Sequence, residues 1–355
     1  MPKSASQWGD EFAERRGIYE SLEHRVETLV RDLLAADGLD VIQVETRTKT
    51  VRSFIEKIKR KRREETNPFD SITDLVGIRV ITYYQDDVER VGHILRREFS
   101  VNDNDSPGEE GLRADHFGYR SSHYVATIGA PREKLVEWEP YAGLKIEFQV
   151  RTALQHAWAA VSHKVDYKSA ESAPADIRRR LYRLSALFEL ADEQFAVLRD
   201  ASRATQEAYG SDVEHGNLDI PVDTNSIMAF LSEGQRAFNL RRRLKRANMR
   251  VNEGADIEPD RLKRDRADLV QFSKQYGIAR IADLDAFLKS NRFSEIARAV
   301  AKATESEGAS PQSLEDALTQ ILIAEFGEGD SPGFPTYRRG FAQALGAARD
   351  LLQDR

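Results

Sequence analysis

At 355 residues the chain is about twice the usual domain length, so one large domain or two of moderate size are expected. Apolar residues make up 40% and charged residues 32% of it, which fits a folded globular protein and excludes a fully disordered chain, whose apolar surface could not offset its ordering entropy. No stretch approaches the roughly 20 apolar residues that span a bilayer, no apolar signal core follows Met1, and there is no cysteine, so the expectation is a cytoplasmic protein that engages no membrane and uses neither disulfides nor thiolates.

The elements follow in chain order. Trp8, Phe12, Tyr19, Leu22, Val26, Leu29 and Leu33 recur at three-four spacing, predicting an amphipathic helix over 8–35 that Asp37-Gly38 ends. A second helix is expected from Thr50 to Arg63, stopping before Asn67-Pro68. Val76–Thr82 is β-branched and apolar and reads as a strand, followed by a helix carrying Val88, Val91, Leu95 and Phe99. Residues 102–118 read as a long loop, a length that often carries function. Strands are expected at Tyr119–Ile128 and Leu144–Arg151, then helices over Thr152–Lys164 and from Ile177 to Leu198. Gly210-Ser211-Asp212, Gly216-Asn217 and Pro221 suggest a linker, beyond which 224–250, 260–275, 283–303 and 313–326 all read as helical. The layout is an α/β domain over 1–210 and a helical region over 211–355.

Charge is unevenly spread. The net balance is −6, yet Arg47 to Arg63 holds nine Lys or Arg residues against one acid, Glu56. A local positive field in an acidic protein suits a phosphate-rich ligand, although a solvated helix face gives the same run. Lys49, Ser53 and Lys57 would share one helical face.

Leu144–Arg151 is the most informative segment. Leu144, Ile146, Phe148 and Val150 alternate with Lys145, Glu147, Gln149 and Arg151, so a row of polar side chains stands on one face of the strand. A solvent-facing sheet would show the same pattern. Tyr119, Ser121 and His123 share a face of the preceding strand, and Asp74 and Arg79 mark a third. Two separated acids, a polar aromatic and several cations suit phosphoryl transfer, in which cations hold polyphosphate, carboxylates hold magnesium and a base takes the proton of the attacking hydroxyl. Neither a Walker loop nor a Gly-x-Gly-x-x-Gly turn is present.

The ordered series Arg47-x-Lys49-x-x-x-Ser53-x-x-x-Lys57, Ile72-Thr73-Asp74-Leu75-Val76-Gly77-Ile78-Arg79-Val80, Gly118-Tyr119-Arg120-Ser121-Ser122-His123 and Glu147-Phe148-Gln149-Val150-Arg151-Thr152 resembles the RelA/SpoT alarmone-synthetase domain. Gln155-His156-Ala157-Trp158 and His163 to Lys168 resemble its helical tail, and the likeness covers residues 40–170. It implies a mixed β-sheet flanked by helices, related to nucleotidyltransferases, and Mg2+-dependent transfer of pyrophosphate from ATP to the 3′-hydroxyl of GDP or GTP. Carried over, Arg47 and Arg79 would sandwich the adenine, while Lys49, Ser53 and Lys57 would hold the ATP phosphates. Asp74 would hold the metal, with Glu147 as second ligand, general base or both. Tyr119 would stack on the acceptor guanine beside His123, Gln149 and Arg120.

Two departures bear on the acceptor. The family often has Lys four residues, and Asn two residues, before the stacking tyrosine; here those positions are Asp115 and Phe117. Ser162 also replaces a Glu seen in some small synthetases. The alternatives are a toxic relative that pyrophosphorylates tRNA 3′ ends or adenine nucleotides, and a catalytically inactive nucleotide sensor. Asp74 and Glu147 speak against the sensor. Arg241–Arg243, Lys245 and Arg246 offer a contact for tRNA, and homo-oligomerisation is a further expected role for the C-terminal helices. No His-Asp dipeptide occurs, so the metal-dependent alarmone hydrolase of long family members is not expected.

Overall fold

The computed structural model describes residues 3–61, 67–103, 106, 121–164, 174–232, 234–249, 251–252, 257–306, 313–327 and 348. The chain divides into two compact units, residues 1–198 and 199–355.

The first unit is built on a five-stranded sheet in the order β1-β2-β5-β4-β3, where β1 is Val41–Thr48, β2 Val76–Thr82, β3 Phe99–Val101, β4 Ser122–Ile128 and β5 Ile146–Thr152. Only the central β2/β5 pair is parallel among the described strands; β1/β2, β4/β5 and β3/β4 are antiparallel. The sheet is mixed and helix-flanked, as expected, but two of its strands escape the sequence patterns. β3 has three residues, too few to show alternation, and β1 is an edge strand whose register shifts between Val41 and Gln43.

Helix α1 (Ala5–Ala36) starts at a capping box, in which Ser4 and Gln7 satisfy each other's backbone N–H groups, and stops before Gly38 at φ +62. Its inward stripe (Phe12, Tyr19, Leu22, Val26, Val30 and Leu34) is buried in one core with Val44, Val76, Ile78, Val80, Ile146, Phe148 and Val150 from one face of the sheet. Each such side chain contributes about 1.5–3 kcal/mol of burial. Thr46 Oγ1, on the same face, donates to Glu23 Oε1 of α1 at 2.8 Å. Helix α2 (Val51–Lys61) sends Phe54 onto Phe12, ring centroids 4.5 Å apart, and the single turn α3 (Pro68–Ser71) adds Phe69 to that cluster. Helix α4 (Gln85–Glu98) is the crossover between the parallel strands' segments, and Gly92 lets it lie close to the sheet, since a Cβ there would run into the Tyr124 hydroxyl. The short α5 (Ala130–Glu133) leads back toward β5.

Because side chains alternate, burying that face turns Glu45, Arg47, Gly77, Arg79, Glu147, Gln149 and His123 to the other one. Helix α6 (Ala153–Lys164) leaves β5 through a second capping box: Gln155 N–H donates to Thr152 Oγ1 at 3.1 Å and Thr152 N–H to Gln155 Oε1 at 2.9 Å. Helix α7 (Ala175–Glu214) continues through Gly210-Ser211-Asp212, where the sequence suggests a break. One glycine costs about 1 kcal/mol in a helix, which the packing of Tyr209 and Val213 against the second core offsets.

The second unit is helical: α8 (Thr224–Leu231), α9 (Gln235–Arg246), α10 (Pro259–Gln275), α11 (Ile281–Lys289), α12 (Asn291–Ser306) and α13 (Leu314–Phe326). The expected helices 224–250 and 283–303 are each two, broken at Ser232–Gly234 and Ser290. Every residue of α13 from Leu314 to Ala324 is buried, and Arg266 of α10 pairs with its Glu315 at 3.0 Å. Arg243 of α9 donates to the Leu288 and Ser290 carbonyls and to Ser294 Oγ, tying α9 to the α11–α12 junction.

Candidate active site

Strand register assembles the polar face. Glu45 lies opposite Arg79, Arg79 opposite Gln149, and Gln149 opposite His123, forming one row across four strands. The next row runs Arg47, Gly77, Glu147. A cleft of about 400 Å³, open to solvent, is lined by Glu45, Arg47, Asp74, Gly77, Arg79, Glu147 and Gln149. Gly77 keeps its floor low: a Cβ there would already touch Arg47 Cγ and Nε at 3.5 Å.

At one end two lysines converge on one acid. Lys49 Nζ meets Asp74 Oδ2 and Lys57 Nζ meets Asp74 Oδ1, each at 2.6 Å, with all three side chains nearly buried. Lys49 is held there by its own N–H, which donates to the Leu75 carbonyl at 2.9 Å, and Lys57 by the second turn of α2. Burial alone would raise the Asp74 pKa, but the hydrogen bonds and charges of Lys49 and Lys57 outweigh it and hold the carboxyl below its ordinary value.

Glu147 sits beside this cluster. Its Oε1 meets His123 Nδ1 at 3.1 Å and accepts from Gln149 Nε2 at 3.3 Å, while His123 Nε2 lies 2.8 Å from Ser121 Oγ. Burial and the nearby Asp74 charge push the Glu147 pKa up; the His123 and Gln149 hydrogen bonds prevail and keep it below the ordinary value. Glu147 is therefore an anion at neutral pH with an oxygen able to accept a proton.

The other end is rich in guanidinium groups. Arg79 Nη1 pairs with Glu45 Oε2 at 2.5 Å and Arg79 Nη2 reaches Gln149 Oε1 at 3.5 Å. Arg151 is buried, and burial, with Arg79 and Arg47 adding repulsion, lowers its pKa to about 10. Arg79 Nε and Arg151 Nε are buried without a hydrogen-bond partner among the described residues, as is His156 Nδ1.

The family model for the region found in RelA / SpoT proteins matches residues 46–172, which contain all of this face except Glu45. Those residues match the region shared by RelA and SpoT proteins. The chain is 29% identical over 172 residues to the GTP pyrophosphokinase YjbM of Bacillus subtilis, covering 46% of this chain and 74% of that one. It is 24% identical over 195 residues to YwaC, a second GTP pyrophosphokinase of the same organism, covering 53% and 88%. The small alarmone synthetase 1 structure from Bacillus subtilis aligns with 55% of this chain and 99% of its own, at 23% identity and a TM-score of 0.44.

Within the matched region, Arg47, Lys49, Lys57, Asp74, Arg79, His123, Glu147 and Gln149 fall on one face of the sheet or at its edge. Ser53 stands apart: it is exposed, and its hydroxyl accepts from Thr50 Oγ1 at 2.9 Å. Tyr119 and Arg120, with Arg113, Asp115 and Phe117, lie outside the described residues. Glu45 was missed by sequence reasoning. Its signal was the i, i+2 series Glu45, Arg47, Lys49, visible only once that segment is read as a strand.

Proposed function

We propose that this RelA/SpoT domain transfers pyrophosphate from ATP to the 3′-hydroxyl of GDP or GTP, making (p)ppGpp. The observation that carries the reading is the adjacency of an ionised carboxylate, Glu147, to a carboxylate already holding two lysines, Asp74. The names of the two Bacillus subtilis relatives support the same activity.

In this mechanism Lys49 and Lys57 hold the ATP phosphates, and Arg47 and Arg79 hold the adenine. Glu147 accepts the proton of the acceptor 3′-hydroxyl as its oxygen bonds to the β-phosphorus; the bond from that phosphorus to the bridging α,β-oxygen breaks, and AMP leaves. His123 and Gln149 fix the Glu147 carboxylate, and His123 turns its other nitrogen to Ser121. Among the described residues no group of three or more His, Asp or Glu side chains could hold a metal ion. Magnesium, however, needs only one or two protein carboxylates, taking phosphate oxygens and water for the rest, so Asp74 and Glu147 fit it. Bound there, Mg2+ would neutralise charge on the transferring phosphates. Tyr119 and Arg120 are assigned to the acceptor with His123 and Gln149.

We assign catalysis to residues 1–210 and place the protein in the cytoplasm; no helix among the described residues is long and apolar enough to cross a membrane. The test is incubation of the full chain with γ-labelled ATP, Mg2+ and, in separate reactions, GDP, GTP, ADP or tRNA. Label is expected in a guanosine tetra- or pentaphosphate. Label in tRNA alone, with none from GDP or GTP, overturns the alarmone reading.

A further inference from the structure

We propose that Glu45 selects the purine of the donor nucleotide, accepting a hydrogen bond from the adenine 6-amino group and withholding Arg79 from a 6-oxo group. The inference rests on the reading that ATP binds with its base between Arg47 and Arg79 and its phosphates at Lys49 and Lys57.

Stacking on guanidinium planes does not distinguish purines, because each presents a π-face. Discrimination has to come from the base edge, where adenine carries an amino donor at position 6 and guanine or hypoxanthine a carbonyl acceptor. A cleft lined by Arg47 and Arg79 would by itself prefer the carbonyl, since arginine reading the guanine O6 edge is the commonest specific contact of its kind. Glu45 reverses that preference in two ways. Its carboxylate accepts only. It also pairs with Arg79 Nη1 at 2.5 Å, so that donor is committed before a nucleotide arrives.

The placement is specific. Glu45 lines the cleft and is partly exposed to it, and among the described residues no hydrogen bond reaches its Oε1. It is the acid whose charge bears on Arg151 and His156 together with Arg79, so it is the carboxylate of the guanidinium end. Lys49 follows it by four positions along the chain, ~13 Å at strand rise, which sets Glu45 at the opposite end of the cleft from the phosphate lysines. It also precedes the first residue of the family-model match.

The test compares ATP and ITP as pyrophosphate donors to a fixed acceptor, ITP carrying a 6-oxo group and an N1 proton where ATP has a 6-amino group and an unprotonated N1. The wild-type kcat/KM should favour ATP by about 100-fold or more, a conservative floor beside the roughly 10,000-fold by which sites built around a hydrogen bond reject analogues lacking it. Glu45→Gln, whose amide can turn either its carbonyl or its NH2 to the base, should reduce the ratio to below about 10-fold. Glu45→Ala, which frees Arg79, should raise absolute use of ITP. A wild type indifferent to ITP, or an ATP:ITP ratio unchanged within about twofold in Glu45→Gln, overturns the proposal; a residue that only balances charge would weaken both donors alike. Titration of Arg79→Ala with a non-hydrolysable ATP analogue separates the two levels of inference. Unchanged affinity removes the base from this end of the cleft and the donor reading falls with Glu45, whereas weakened affinity with an unchanged ratio discards Glu45 alone.

Discussion

Glu147 and Asp74 are both carboxylates, but their partners give them different work. Asp74 has a lysine on each oxygen and little basicity left, while Glu147 is held by a histidine and an amide. Glu147→Gln keeps shape and removes basicity, so transfer should fall about 100- to 10,000-fold with ATP affinity nearly intact; rapid-quench assays and titration with a non-hydrolysable analogue check the two halves. Lys57→Ala should instead raise the ATP concentration needed for half-maximal rate, measured with GDP saturating. At Gly77 a Cβ would only touch Arg47, so Gly77→Ala should be tolerated, whereas the branched side chain of Gly77→Val would fill the cleft floor and lower kcat/KM for ATP without lowering the melting temperature of the unit. The residues of this face were legible in the sequence because each lies in a short motif whose period shows which way it points. Glu45 was not, since its segment, though rich in β-branched residues, has no long apolar run and reads as the connection between two helices. Ser53 shows the converse: helical spacing placed it with Lys49 and Lys57, yet Lys49 precedes α2 and only Lys57 reaches Asp74 from it.

At the level of elements, the junction of β5, α6 and α7 is built around one hydroxyl. Thr152 Oγ1 accepts from the Gln155 N–H and donates to Asp192 Oδ2 of α7 at 2.7 Å. Burial raises the Asp192 pKa to about 7 from an ordinary 3.8. The sign follows: a carboxyl that binds its proton more tightly when folded stabilises the fold fully below its unfolded pKa and loses that contribution as pH rises through the folded value. Wild-type melting temperature should therefore fall between about pH 4 and pH 7 relative to Asp192→Asn, whose amide oxygen accepts the same bond, and the gap should level off above pH 7, where it amounts to a few kcal/mol. Parallel melting curves that do not diverge across this range would exclude the buried charge. Sequence patterning found α6 and α7 from their apolar spacing but not the polar link between them, because a single Thr–Asp contact 40 residues apart leaves no periodic trace. It also placed a linker at Gly210, where a glycine and two turn formers outweighed, on propensity alone, the tertiary contacts that keep α7 helical to Glu214.

At the scale of the whole molecule, the described residues form two hydrophobic cores, one between α1, α4 and the sheet and one among α8 to α13. Two cores predict two calorimetric unfolding transitions. Arg243→Ala removes the donor that ties α9 to the α11–α12 junction together with its contact over the Phe293 ring, and should lower one transition by several degrees while leaving the other in place. A single transition that shifts as one would refute the prediction. The helical character of this half was readable from apolar spacing; its breaks after Leu231 and at Ser290 were not, since each is a short polar run with apolar helical spacing resuming on its far side.

The central parallel pair has a consequence for how the chain matures. Lys49, Lys57 and Asp74 come from one contiguous stretch, β1 to the start of β2, so polyphosphate recognition is written locally and needs only neighbouring segments to meet. Glu147 reaches the same cleft only when β5 slots between β2 and β4, after the intervening helix and two further strands have been threaded. Local contacts form early and distant strand pairings late. A nascent or partly unravelled chain would thus hold nucleotide without consuming it, and turnover would begin only with the last strand's arrival.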